Sequence, residues 1–106
     1  MTSHLHSALQ LNGPGKGHVL EDDAAISAAL KAPELAWLHM QADDPETRPW
    51  IERNLDYLAP PILSALTADE TRPRATPTGT GLMVILRGVN TNPGADPEDM
   101  VSLRLW

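Results

Sequence analysis

The 106-residue sequence contains no cysteine. Disulfides and thiolate-bound metals are therefore excluded. Long apolar runs are also missing. The longest unbroken aliphatic stretch is Leu82-Met83-Val84-Ile85-Leu86. A membrane-spanning helix needs about 20 apolar residues, so no transmembrane segment is expected in residues 1–106. Basic residues are few: 8 Lys and Arg against 14 Asp and Glu, a net charge of −6 and a pI near 5.0. Nucleic acid and anionic lipid are both recognised by a basic face, so neither is an expected partner. The start, Met1-Thr2-Ser3-His4-Leu5-His6, has no basic region followed by an apolar one. No signal peptide is legible, and a cytosolic setting is the simplest reading.

Catalytic patterns are absent as well. No Ser stands in a nucleophile-elbow glycine pattern. No His pair has the spacing of a zinc-binding helix, and Asn12-Gly13-Pro14-Gly15-Lys16-Gly17 is not followed by the Ser or Thr of a phosphate loop. An enzyme is not expected, and no catalytic or cofactor-binding residue is assigned.

The residues that are present read as one small α/β domain. Residues 1–6 read as a loose terminus, although His4 and His6 have the spacing of a His-x-His chelate. Ser7 to Leu11 suits a short strand, and the glycine-rich turn returns the chain through His18-Val19-Leu20. Asp22 or Asp23 caps a helix that Pro33 ends. Leu35 to Met40 is apolar at both parities apart from His39, which predicts a strand covered on both faces. Asp43-Asp44-Pro45-Glu46-Thr47 starts a second helix, regular from Thr47 or Arg48 to about Leu58. Pro49 falls in its first turn, where a missing N–H is harmless. Pro60-Pro61 breaks the chain before a third helix over 61–67. Arg72-Pro73-Arg74 is an extended elbow, and Ala75 to Thr80 reads as a turn. Gly81 to Val89 reads as a central strand. Residues 100–106 read as a half-exposed strand with an open edge. Residues 35–40, 81–89 and 100–106 are expected in one mixed β-sheet covered by short helices.

Three acidic groups are candidate cation ligands: Glu21-Asp22-Asp23, Asp43-Asp44 with Glu46, and Asp96 with Glu98-Asp99. Oxygen-rich loops bind hard cations, but none has the calcium-loop pattern, and caps and solvated turns explain each. His39 reads as a hydrogen-bonded core or edge residue. Arg72 and Arg74 have the chemistry to hold a carboxylate or phosphate, and read instead as ion pairs fixing the elbow. Divalent-ion binding is expected to be weak, with no named metal ligand.

A family resemblance rests on residues 68–106. Ala68-Asp69-Glu70-Thr71-Arg72-Pro73-Arg74, Gly79 and Gly81, Leu82 to Asn90, and Pro93 to Trp106 resemble the N-terminal cytosolic domain of CorA-type divalent-cation transporters, in particular the ZntB zinc-transporter branch. Trp37-Leu38-His39-Met40 and Pro45 through Trp50-Ile51 fit the same branch. Members of that family are homopentamers with a cytosolic α/β domain, a long stalk helix and two membrane helices carrying a Gly-x-Asn signature. Gly88-Val89-Asn90 imitates that tripeptide without a span before it, so the pore role is not carried onto it.

The resemblance implies that residues 1–106 are the N-terminal part of the cytosolic domain, an incomplete αβα sandwich. It implies a regulatory role at the cytoplasmic face of the inner membrane, with Zn2+ or Mg2+ as transported or regulatory ion. The partners it implies are divalent cations and further copies of the chain, as a pentamer for the whole protein and as a dimer or mixed oligomer for this portion. A stand-alone acidic interaction domain, pairing through its open strand edge, is the alternative. A small hydrolase is the third reading.

Overall fold

The computed structural model describes residues 4–69 and 71–106. The chain forms two compact units, Met1–Leu63 and Ser64–Trp106. Among the described residues, five strands and three helices follow one another as β1 (Leu5–Gln10), α1 (Asp23–Lys31), β2 (Ala36–Met40), α2 (Thr47–Asn54), α3 (Pro60–Thr67), β3 (Arg74–Thr78), β4 (Gly81–Gly88) and β5 (Val101–Leu105). The α/β class and the short helices agree with the sequence reading. The single mixed sheet does not: β1-β2 and β3-β4-β5 are separate sheets, and every pairing is antiparallel.

In the first unit β1 pairs with β2, with Ala8 opposite Leu38 and Leu9 opposite Trp37. The register slips between Leu5 and Ser7. Side chains alternate faces along a regular strand, so Leu5 and Ala8 should point opposite ways. The slip at His6 puts both in the core. The start of the chain is thus not loose from His4 onward, since His4 and Leu5 are both buried. The glycine-rich turn returns as expected, but through a single bridge, Leu9 to Val19, rather than a strand. Gly13 and Gly17 adopt positive φ there, a backbone region open to glycine.

Asp22 caps α1 by accepting a hydrogen bond from Ala25 N at 2.8 Å, and Ile26 and Ala29 turn inward. The second helix begins at Thr47 as predicted, with Pro49 in its first turn. It ends at Asn54, a turn short of Leu58. Asn54 bends back to donate to the Trp50 carbonyl at 3.0 Å, and its own carbonyl accepts from Ser27 Oγ at 2.9 Å. Leu55 then leaves helical geometry at φ −123°. Trp50, Ile51 and Leu55 join Leu5, Ala8 and Ile26 in the core, with Leu38 and Met40 packed against them. The other face of β2 is open, for Trp37 and His39 are exposed. That corrects the expectation of a strand covered on both faces.

In the second unit β4 lies between β3 and β5. The third strand falls where the Pro, Thr and Gly content of residues 75–80 predicts a turn. Thr suits strands, and Pro77 is tolerated because β3 is an edge strand. The actual turn is only Gly79-Thr80, with Thr78 paired to Gly81 and Gly79 at φ 61°. Glycine at the first central position fits a two-residue hairpin loop. Met83 and Ile85 are buried on one face of β4, whereas Leu82 and Leu86 are exposed on the other. Ser102 and Arg104 share the buried face, since Arg104 sits opposite Ile85. Val101 and Leu103 share the exposed face, with Leu103 opposite Leu86. The Trp106 ring packs across Gly81, in the space a Cβ there would occupy.

Candidate metal centre

The chain reversal after β2 builds the most concentrated group of ligand-type side chains in the first unit. Gln41 N donates to the His4 carbonyl at 2.9 Å, which carries the β1–β2 pairing one step past Met40. The backbone then turns. Thr47 N donates to the Asp44 carbonyl at 3.0 Å, and Glu46 N donates to Asp44 Oδ1 at 2.9 Å. Thr47 Oγ1 donates to the Gln41 carbonyl and fixes the start of α2 against the end of β2. Asp44 is therefore not a helix cap. It organises the turn, and the side chain of the N-cap residue, Glu46, makes no capping bond.

This reversal brings Asp44 and Glu46 beside His4. His4 Nδ1 lies 3.2 Å from Glu46 Oε2. One ligand-type atom from each of His4, Asp44 and Glu46 lies within 4.8 Å of the other two. His4 is only 4% exposed, and its ring is tilted 55° to that of Trp50 at 6.5 Å between centroids. Trp50 is 1% exposed, and its indole Nε1 has no hydrogen-bond partner among the described residues. His4, Glu46 and Trp50 line an open cleft of about 680 Å³ together with Glu21, Asp22 and Asp23. Four of its lining residues carry carboxylates, with Arg53 as the opposing charge.

The sequence pairs Asp44 with Glu46 but not with His4, and two of its other candidate pairings come apart. His4 and His6 do not chelate together. The register slip sends His6 to the exposed side, where its ring meets that of His39 at 4.8 Å. His39 is thus an exposed cross-strand residue rather than a core one. Asp43 accepts from Gln41 Nε2 at 2.8 Å and is not part of the triad. Asp96 accepts from Glu98 N at 2.9 Å, and Asp99 N donates to the Asp96 carbonyl at 3.0 Å, an exposed loop of its own. Gly88 closes β4 opposite Val101, and Asn90 Oδ1 accepts from Asn92 N at 3.1 Å.

The second unit holds a contrasting basic cleft of about 610 Å³, lined by Asp69, Arg72, Arg74, Arg87 and Arg104. Among the described residues no carboxylate pairs with Arg72 or Arg74. Arg74 instead donates to the Arg72 carbonyl at 3.2 Å. Among the described residues that side-chain-to-carbonyl bond links the two arginines of the elbow, in place of the expected ion pairs. Glu70 lies outside the described residues. Arg104 reaches the Leu66 carbonyl at the C-terminal end of α3.

The sequence profile of the CorA-like Mg2+ transporter protein family matches residues 33–106. The chain belongs to the CorA family. Its relatives by sequence include the divalent cation transporter CmaX of Pseudomonas aeruginosa, 41% identical over 97 residues. They also include the zinc transport protein ZntB of Yersinia pseudotuberculosis, 33% identical over 99 residues. Those alignments cover 91% and 93% of this chain but 29% of each relative. The crystal structure of the ZntB cytoplasmic domain from Vibrio parahaemolyticus superposes with a TM-score of 0.67 at 28% identity, over 97% of this chain and 39% of that one. The full-length CmaX structure superposes with a TM-score of 0.73 at 37% identity, over 96% of this chain and 31% of that one. This CorA-family chain therefore spans about a third of its relatives' length. The named relatives are transporters, not enzymes. Among the described residues no helix is long and apolar enough to cross a membrane.

Proposed function

We propose that residues 1–106 are the N-terminal part of the cytosolic domain of a divalent metal-ion transporter, and that they serve regulation rather than conduction or catalysis. The observation that carries this reading is the full-length CmaX match, with a TM-score of 0.73 over 96% of this chain. Under this reading the domain sits at the cytoplasmic face of the cell membrane, as part of a homopentamer. A net charge of −6 supports a role in raising the local cation concentration. The transported ion is zinc or magnesium: the ZntB relatives are named for zinc, and the family description names Mg2+.

Two observations test the reading. The gene downstream of the Trp106 codon should encode two apolar spans, the first ending in Gly-Met-Asn or Gly-Val-Asn. The whole gene product, reconstituted in liposomes holding a zinc- or magnesium-sensitive dye, should admit one of these ions. A stop codon directly after Trp106, or liposomes that admit neither ion, would sink it.

A further inference from the structure

We propose that His4, Asp44 and Glu46 bind a divalent first-row transition-metal ion of the zinc or nickel class, in a site within the first unit. The proposal stands on the geometry of that unit and does not depend on transport. Bond lengths of 2.0–2.2 Å to nitrogen and oxygen put two tetrahedral ligands about 3.3–3.6 Å apart. The 3.2 Å between His4 Nδ1 and Glu46 Oε2 falls just short of that span. The spread of the triad, up to 4.8 Å, is wider than one ion needs. Glu46 can close it, because its side chain is 65% exposed and free to change rotamer. His4 supplies the fixed point, buried under the α2 start and tied through its carbonyl to Gln41.

The ligand set selects the ion. One imidazole with two carboxylates suits zinc, nickel or copper. Magnesium requires octahedral oxygen and keeps its waters, so an imidazole is a poor ligand for it. Three protein ligands leave a coordination position for water. Trp50 supplies an independent sign that the cleft takes a polar occupant. It lines the same cleft, and its buried N–H lacks an acceptor among the described residues. A metal-bound water or hydroxide is an acceptor of the right kind. Glu21, Asp22 and Asp23 on the rim add negative potential that draws a cation in.

Calorimetry on the 106-residue chain with zinc, nickel and magnesium chlorides tests the site. One zinc per chain is expected, undisturbed by excess magnesium. Glu46→Gln and Asp44→Asn should each weaken zinc binding by roughly tenfold or more, by analogy with the loss seen when support around a metal is removed. His6→Ala should change nothing. His4→Ala risks the fold, which is why the partly exposed Glu46 is the deciding position. A chain carrying Trp37→Phe and Trp106→Phe keeps Trp50 as its fluorophore, and nickel should quench that emission in a saturable way that Glu46→Gln abolishes. Zinc affinity unaltered by Glu46→Gln and Asp44→Asn, or lost with His6→Ala instead, would overturn the proposal. Magnesium displacing zinc at equal concentration would overturn the choice of ion.

Discussion

Asp22 shows how much one side chain can decide. Its carboxylate accepts from Ala25 N at 2.8 Å and satisfies one of the four N–H groups that the start of a helix leaves unpaired. Replacing it with Ala should lower unfolding free energy by about 1 kcal/mol, measured by urea denaturation. Asp23→Ala should cost less, because Asp23 lies inside the first turn and contributes only through the helix dipole. Tyr57 offers a second residue-level test. Partial burial pushes its hydroxyl above the ordinary value of 10.0. The folded chain then holds that proton more tightly than the unfolded one. The associated stability is complete below the unfolded pKa and is lost as pH rises through the folded value. Tyr57 is the only tyrosine, so tyrosinate absorbance during an alkaline titration reports it directly. The midpoint should lie above 10 in the folded chain and fall to the ordinary value in denaturant.

At the scale of elements, the two faces of β4 should respond differently to truncation. Ile85 is 0% exposed, so Ile85→Ala removes packed atoms and leaves a cavity, at a cost of about 2–5 kcal/mol. Leu86 is 50% exposed, and Leu86→Ala should cost less than about 1 kcal/mol. Equal losses at the two positions, read from thermal or urea melts, would show that the outer face is packed in solution. The contrast also marks how far the sequence could be read. Apolar residues at both parities, Leu82 to Leu86, correctly announced the middle strand of a sheet. The pattern says that two apolar faces exist, not that the same chain covers both. The β3 strand was hidden for a different reason, since Pro77 and two threonines resemble turn composition until an edge position is known. Helix positions were legible because caps and prolines act locally. Asn54 ended α2 early through bonds to Trp50 and Ser27, the latter 27 residues away. The metal triad was illegible for the same cause. His4 and Glu46 are brought together only by the β1–β2 register and the turn that Asp44 organises.

At the scale of the whole molecule, the second unit presents an apolar strip that its own described residues leave uncovered. Leu82, Leu86, Val101 and Leu103 are exposed, and the pairing of Leu86 with Leu103 puts them on one sheet face. Both β3 and β5 are edge strands among the described residues, and each edge offers unpaired N–H and C=O groups. Burial of apolar surface stabilises by about 25 cal/mol per Å², so either a further segment of protein or a second copy gains by covering this strip. The relatives are about three times as long, with 29% of each matched here. In the whole transporter, under the reading proposed above, the continuing chain supplies that cover. The isolated 106 residues should instead associate with one another, as dimers or mixed oligomers. Light scattering over a concentration series should show mass rising with concentration. Substituting Leu86→Lys and Leu103→Glu on this face should return the chain to monomers without unfolding it, because both side chains already face solvent. A monomer at every concentration, with the wild-type residues in place, would show that the strip needs no partner.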